Sequence, residues 1–338
     1  MNLAGMGIVF PGGAGVEALR SALVAGVPLQ GRLLEKEGVP VLSVPAAALT
    51  GNPVLAPARR ADRFSKMTLL AAMEALNGCA ADPGRTGIVL ATAFGPHGTV
   101  FRYVNEMLEF GDAKASPTVF SQSVHAAAAS MIAVAAKLHG PALSVADLAF
   151  PFEEALALAD GWLESGRCDA VLVGAVDEVS DVLAHVVRRK WSVPADGISR
   201  PFAAGGPAFV PGEGAVFFRL ERAGGPRVSV ENDFSSSAAC RLLNAGALGG
   251  DDACWAKWAD PAIPALCYTP LLGGTRIGAA FHLAVAALMH SEGRIFPEPA
   301  GLRGGPPLPA PERIAGAIQV LSACAARGRA ITLHAARE

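Results

Sequence analysis

GRCDAVLVGAVDEV, residues 166–179, is the stretch on which the fold turns. Its short apolar run is bounded by glycine and aspartate and follows a helical stretch, which predicts a central strand buried on both faces. TGIVLATAFG, residues 86–95, reads the same way. Strands of this kind need helices on either side, so the alternation predicts a layered α/β architecture.

Working outward, GMGIVF (residues 5–10) predicts a buried strand, followed by a glycine turn and a helix over residues 16–25. In ADRFSKMTLLAAMEALNG, Phe64, Met67, Leu70 and Ala71 share one broad apolar face, with Asp62 near the start and Gly78 past the end, which predicts a second helix. Towards the other end, a Pro/Gly-rich run over 296–311 predicts a surface loop, then a helix over 312–326 and a last strand over 330–335.

The 338 residues suffice for one large domain or two ordinary ones, and 51% hydrophobic against 17% charged residues suits a sizeable core. The mean hydropathy of +0.37 owes much to alanine and glycine, which allow close approach and make an extensive subunit interface plausible. A net charge of −2 with scattered lysine and arginine leaves no footprint for nucleic acid. Six dispersed cysteines suggest neither a disulfide framework nor a zinc site, so no metal is expected and a cytoplasmic location fits. The alanine-rich runs are broken by Ser130, Lys137 and His139 short of spanning length, and no targeting or membrane-spanning segment is expected.

Three motifs carry candidate chemistry. Gly13 and Gly15 form a dinucleotide-like turn between strand and helix, where a pyrophosphate would sit; the alternative is a tight turn of any α/β fold, favoured because no acidic residue clearly ends the second strand. Cys240, after three serines, is expected in the first turn of a helix if it is a nucleophile, and in a half-buried position if it is not. His282 and His290 are expected on one helix, too far apart to chelate one ion unaided.

Several stretches together resemble the β-ketoacyl synthases, the condensing enzymes of the thiolase superfamily. RRADRFSKMTLLAAMEAL (59–76) is similar to the family's Arg-x-Asp-Arg-Phe helix. SPTVFSQSVHAAAASMIAVAAKLHGPALSV (116–145) is similar to its interface helix, ending in Gly140-Pro141. SRPFAAGGPAFVPGEGAVFFRLE (199–221) matches its Ser-Arg-Pro-Phe and Gly-Glu-Gly-Ala segments. The resemblance implies a thiolase-like layered αβαβα fold of two related halves, residues 1–222 and a shortened 223–338. It also accounts for the Gly13–Gly15 turn without a cofactor, and none is expected.

The same resemblance locates a loss. Counted from Gly140-Pro141, the family's cysteine nucleophile falls at Ala149, and the small residues after it become Phe150, Pro151 and Phe152. The Gly-His-Thr motif reads Gly273-Gly274-Thr275, so its histidine falls at Gly274 and the lysine five residues upstream at Thr269. The His-Gly-Thr-Gly-Thr motif is absent from the chain, and SACAARG (322–328) stands where a glycine-rich turn supplies an oxyanion amide.

Retained structural motifs beside a missing nucleophile, histidines and lysine imply a subunit of the chain-length-factor type, with no catalytic residue of its own. Such a subunit pairs with a catalytic ketosynthase as a heterodimer, extends the acyl tunnel across the interface, and serves polyketide or fatty acid synthesis. Tunnel and interface residues are expected at Phe120, Val124, His125, Ala128, Met131, Ala149, Phe150 and Phe152. An acyl carrier protein is a further partner, contacted through Arg59, Arg60 and Arg63. The alternatives are a homodimeric acyl- or carrier-binding scaffold, an acyltransferase or hydrolase using Cys240 or Asp147, and an NAD(P)-dependent reductase built on the Gly13–Gly15 turn.

Overall fold

The computed structural model describes residues 1–202, 209–232, 238–246, 263–301, 314, 316–324 and 327–334. Strand β1 (Asn2–Phe10) turns through β2 (Gly13–Ala14) into α1 (Val16–Ala25), and a small hairpin of β3 (Arg32–Leu34) and β4 (Val39–Val41) follows. Helix α2 (Arg63–Ala75) starts where the Asp62 side chain accepts the Ser65 N–H, the N-cap expected of an aspartate there. Next come β5 (Thr86–Thr92), α3 (His97–Phe110), α4 (Pro117–Ser123), α5 (Ala127–Ala136), β6 (Ala142–Ala146) and α6 (Pro151–Glu164). Then follow β7 (Ala170–Asp177), α7 (Asp181–Lys190) and β8 (Gly214–Glu221).

Further along, the described residues hold β9 (Arg227–Glu231), β10 (Ala238–Leu243), β11 (Ala265–Leu266), α8 (Thr269–Leu272), α9 (Gly278–Glu292), β12 (Ala317–Cys324) and β13 (Arg327–His334). All strands but β2, β3 and β4 follow one path, β11-β10-β12-β13-β9-β1-β8-β7-β5-β6. Read outward from the β9–β1 junction, the two arms are copies of each other. In β1-β8-β7-β5-β6 the successive pairings are antiparallel, antiparallel, parallel and parallel, and in β9-β13-β12-β10-β11 they are the same.

Helices α6 and α9 hold equivalent places in the two arms and lie between them. Their apolar residues, among them Phe152, Leu156, Phe281 and Val285, share one buried cluster with Ile8 and Val216 of the first arm and Ile318 and Ile331 of the second. Helix α9 is buried on every side, so its sequence shows no polar stripe. On the outer face, α2 and α5 pack against β5, β7 and β8 through Met67, Ala71, Ile132, Leu90 and Phe217. The layers are thus helix, sheet, helix, sheet, with β7 and β5 buried along their whole length, as their sequences require.

Two elements differ from the expectation. Residues 317–324 form β12, not part of a helix over 312–326; residues 311–313, 315, 325 and 326 lie outside the described set. A short apolar run with isoleucine and valine satisfies either period, and full pairing between β10 and β13 favours the strand. The interface helix is two helices, α4 and α5, bent by 96° at residues 124–126. No single helix among the described residues is long and apolar enough to cross a membrane.

Candidate functional site

The N-termini of the two middle helices face the end of β12, and the elbow between β6 and α6 is where the missing nucleophile was expected. Asp147 shapes this elbow by accepting the Phe150 N–H at 2.7 Å, and Pro151 supplies the fixed φ of a first helical residue. Ala149 is partly exposed at the bend, and its side chain is a methyl group. The Phe150 ring, 4% exposed, lies under the guanidiniums of Arg327 at 5.7 Å and Arg329 at 5.9 Å, and Arg329 also pairs with Glu154 at 2.9 Å. Phe152 points into the core against Phe218.

The other expected catalytic positions are filled by packing. Gly274 lies so close to its neighbours that a Cβ would stand 2.7 Å from the Gly246 oxygen and 2.9 Å from Phe209 Cδ2. Its N–H is bound by the Val210 carbonyl. Thr269 is buried and its hydroxyl donates to the Ala245 carbonyl. Neither position presents a base or a cation.

Beside this region runs a buried polar hub. Glu213 is fully buried, accepts N–H groups from Val44 and Val179, and pairs with Arg63. Arg63 is therefore held in place by Glu213 and the Val44 carbonyl; Arg59 and Arg60 are at the surface, where Arg59 and Lys66 line a groove of about 380 Å³. Glu178 accepts the Gly98 N–H at 2.8 Å, and burial pushes its carboxyl up to about 8, helped by Asp62 and Glu213 and opposed by Gly98 and Arg63. Burial likewise raises Glu153 to about 7 and Asp177 to about 6, and lowers His97 and His282.

A raised carboxyl pKa means that the folded chain holds a proton the unfolded chain has released, so its contribution to stability falls as pH rises through the folded value. Buried neutral histidines act in the opposite sense, but only below their ordinary value of 6.5. Stability is therefore expected to fall between about pH 6.5 and about pH 8, with Glu178 responsible for roughly 2 kcal/mol of it. Urea titrations across this range test it: Glu178→Gln should flatten the slope, and an unchanged slope would assign the effect elsewhere.

Three further expectations change. Cys240 lies within β10 and not in a helix, its thiol is fully buried, and burial pushes it up to about 12, so it cannot serve as an exposed thiolate. Asp147 is committed to the elbow backbone. At the Gly13–Gly15 turn, with Gly15 at φ +96°, a carboxylate already occupies the helix entrance: Glu74 accepts the Val16 N–H at 2.8 Å and the Ile8 N–H at 3.0 Å. A pyrophosphate would have to displace that carboxylate. Among the described residues, no group of three or more histidine, cysteine or acidic side chains is placed to hold a metal ion.

The expected tunnel residues divide. Val124 and Met131, with Ser121, Gln122, Ser130 and Val134, line a cavity of about 440 Å³ on the outer face of α4 and α5. Phe120 is exposed beside it, its ring 5.3 Å from Tyr103 of α3, and the exposed His125 accepts the Ser144 hydroxyl through its carbonyl. Ala128 faces inward, 1% exposed, and Phe150 and Phe152 are not walls of this cavity. Missed in the sequence was α3, which leaves Val104, Leu108 and Phe110 exposed next to Phe120; an apolar face on a helix with Thr99 as its one buried residue was the available signal.

The family model for the β-ketoacyl synthase N-terminal domain matches residues 53–224, just over half of the chain. The chain belongs to the β-ketoacyl synthase family. Among relatives, it is 26% identical over 241 residues to the tetracenomycin polyketide synthase ketoacyl synthase alpha subunit of Streptomyces glaucescens, covering 65% of this ketosynthase-like chain and 57% of that one. It spans between 41% and 57% of the length of the curated relatives it matches. Two solved structures share its fold: the ishigamide ketosynthase/chain length factor, at TM-score 0.77 and 17% identity over 100% of this chain and 99% of that one, and a β-ketoacyl synthase from Burkholderia phymatum STM815, at TM-score 0.78 and 16% identity over 99% of each. The layered α/β arrangement is thus the thiolase-like fold of these ketosynthase structures.

Proposed function

We propose that this chain is a non-condensing, chain-length-factor-type subunit of a type II polyketide or fatty acid system, built of two related halves (1–222 and 223–338), that pairs with a catalytic ketosynthase and shapes the acyl tunnel. The elbow carries the reading: Ala149 offers a methyl group where a condensing enzyme needs a thiol, and the positions of its histidine and lysine are closed by Phe209 and by the Ala245 carbonyl. Concerted loss within a retained fold favours an accessory role over a failing enzyme.

The surface supports pairing. β6 ends the strand path, and around its free edge Phe120, Val124, Val134 (80% exposed), Leu143 and Leu148 form an apolar belt continuous with α3. Such a belt with an open strand edge fits a large subunit interface. The cavity walled by Val124 and Met131 opens there, so a partner seated on the belt would cover it and turn it into a shared tunnel. Arg59 and Arg60, with Lys66, offer a basic surface to an acyl carrier protein.

Native mass spectrometry of the chain co-expressed with a ketosynthase that retains its cysteine and two histidines tests the pairing. A one-to-one complex is expected, and Val134→Glu together with Leu143→Glu should weaken it by on the order of a hundredfold without unfolding the chain, as charges placed in a desolvated interface do. A stable homodimer that ignores the ketosynthase would instead establish the scaffold reading.

A further inference from the structure

The family's chemistry leaves one thiol unaccounted for. Of the described cysteines, Cys168, Cys240 and Cys267 are buried, and only Cys79 and Cys324 reach the surface in part. Cys324 ends β12, where that strand meets the N-termini of α6 and α9, and Arg276 Nη1, just before α9, donates to its sulfur at 3.4 Å. Arg276 is also close enough to Asp177, at the end of β7, to ease the rise in that carboxyl's pKa. The thiol therefore sits among groups brought from β7, β12 and the entrance to α9.

A second observation is independent of the sulfur. Ser322, two residues earlier on the strand, projects from the same face about 7 Å away. It is 4% exposed and its hydroxyl has no hydrogen-bond partner. Opposite it, in the first turn of α6, Glu153 is 3% exposed and its Oε1 also lacks a partner; the Ser322 hydroxyl lies near enough to this carboxyl to oppose the rise that burial gives its pKa. Two buried polar groups left unsatisfied beside a reachable thiol form a polar recess that a ligand's carbonyl or hydroxyl would complete.

We propose that Cys324 is an acyl-accepting thiol, positioned by Arg276, that takes acyl groups from thioesters although the elbow at Ala149 cannot. Attack of the Cys324 sulfur on the thioester carbonyl forms one carbon–sulfur bond and breaks another. The leaving thiol departs with the proton that Cys324 gives up, so no further reactant is consumed. The Arg276 guanidinium stabilises the negative charge that develops on the carbonyl oxygen. Condensation does not follow, because no histidine stands at Gly274. The site does not depend on the pairing proposed above and is read on the isolated full chain.

Incubation with an octanoyl thioester of N-acetylcysteamine, followed by peptide mapping, tests it with Cys79 as an internal control of similar exposure. Octanoylation of Cys324 at least about tenfold faster than of Cys79 is expected, with Arg276→Gln reducing the rate about tenfold or more and Cys324→Ser abolishing it. Equal labelling of the two cysteines in the unaltered chain overturns the proposal without recourse to any variant. Labelling of Cys324 that survives Arg276→Gln at full rate also overturns it, since the thiol would then be no more than accessible. Native mass of Cys324→Ser with the ketosynthase partner keeps the two readings separate, since pairing should persist.

Discussion

Glu213→Ala should lower folding stability by about 3–5 kcal/mol, the loss typical of breaking one side of a buried ion pair. Glu213 joins four segments: its carboxylate accepts N–H groups from Val44 after β4 and Val179 after β7, pairs with Arg63 at the start of α2, and immediately precedes β8. Removing it leaves two buried N–H groups and a partly buried guanidinium without that acceptor. Glu213→Gln separates charge from shape: it keeps an acceptor, so its loss should be about half as large. Urea unfolding of both variants decides the matter, and a loss below about 1 kcal/mol for alanine would show that the hub repacks around Arg63.

The same hub shows what the sequence could reveal. Arg63 is expected beside Arg59 and Arg60 as a carrier-protein contact, yet it lies at the first position of α2 and pairs with a glutamate 150 residues away. No local pattern carries that distance. Where packing follows a short period, the reading held: α1 occupies residues 16–25 as expected, α2 begins behind Asp62, and β5 and β7 are buried throughout. The family resemblance likewise belonged to local motifs and was confirmed.

Failures occurred where two local structures fit equally well. AIQVLSAC can be a helix or a strand, and only pairing between β10 and β13 decides. Cys240 after three serines resembles a helix start, but it lies in β10, where its parallel partner is Ile318 of β12. Phe150 and Phe152 stand together among the expected tunnel residues, a role that the cavity on α4 and α5 neither supports nor removes. Their side chains separate at once, one beneath Arg327 and Arg329 and the other in the core, as successive helical positions must.

Installing a cysteine and a histidine at the positions the family resemblance assigns to them should fail for a reason visible at Gly274. Ala149→Cys replaces one small side chain at a partly exposed bend and should be nearly neutral for stability. Gly274→His must place a Cβ within 2.7 Å of the Gly246 carbonyl and 2.9 Å of Phe209, distances that real Cβ atoms do not tolerate against backbone. The cost should be about 3 kcal/mol or more, the upper range for overpacking, because the backbone oxygen cannot turn away as a side chain could. Phe209→Ala would remove the ring and leave the Gly246 carbonyl, so a chain carrying Ala149→Cys, Phe209→Ala and Gly274→His together should remain at least about 1 kcal/mol below the parent. Condensation of an acyl primer with a malonyl thioester should stay at background in Ala149→Cys alone, since glycine and threonine stand at the expected histidine and lysine positions, Gly274 and Thr269. Thermal unfolding and a product assay on these variants separate the outcomes. A stable Gly274→His chain would mean that the Phe209 loop yields, and condensation by Ala149→Cys alone would show that the machinery at this elbow is more complete than Thr269 and Gly274 indicate.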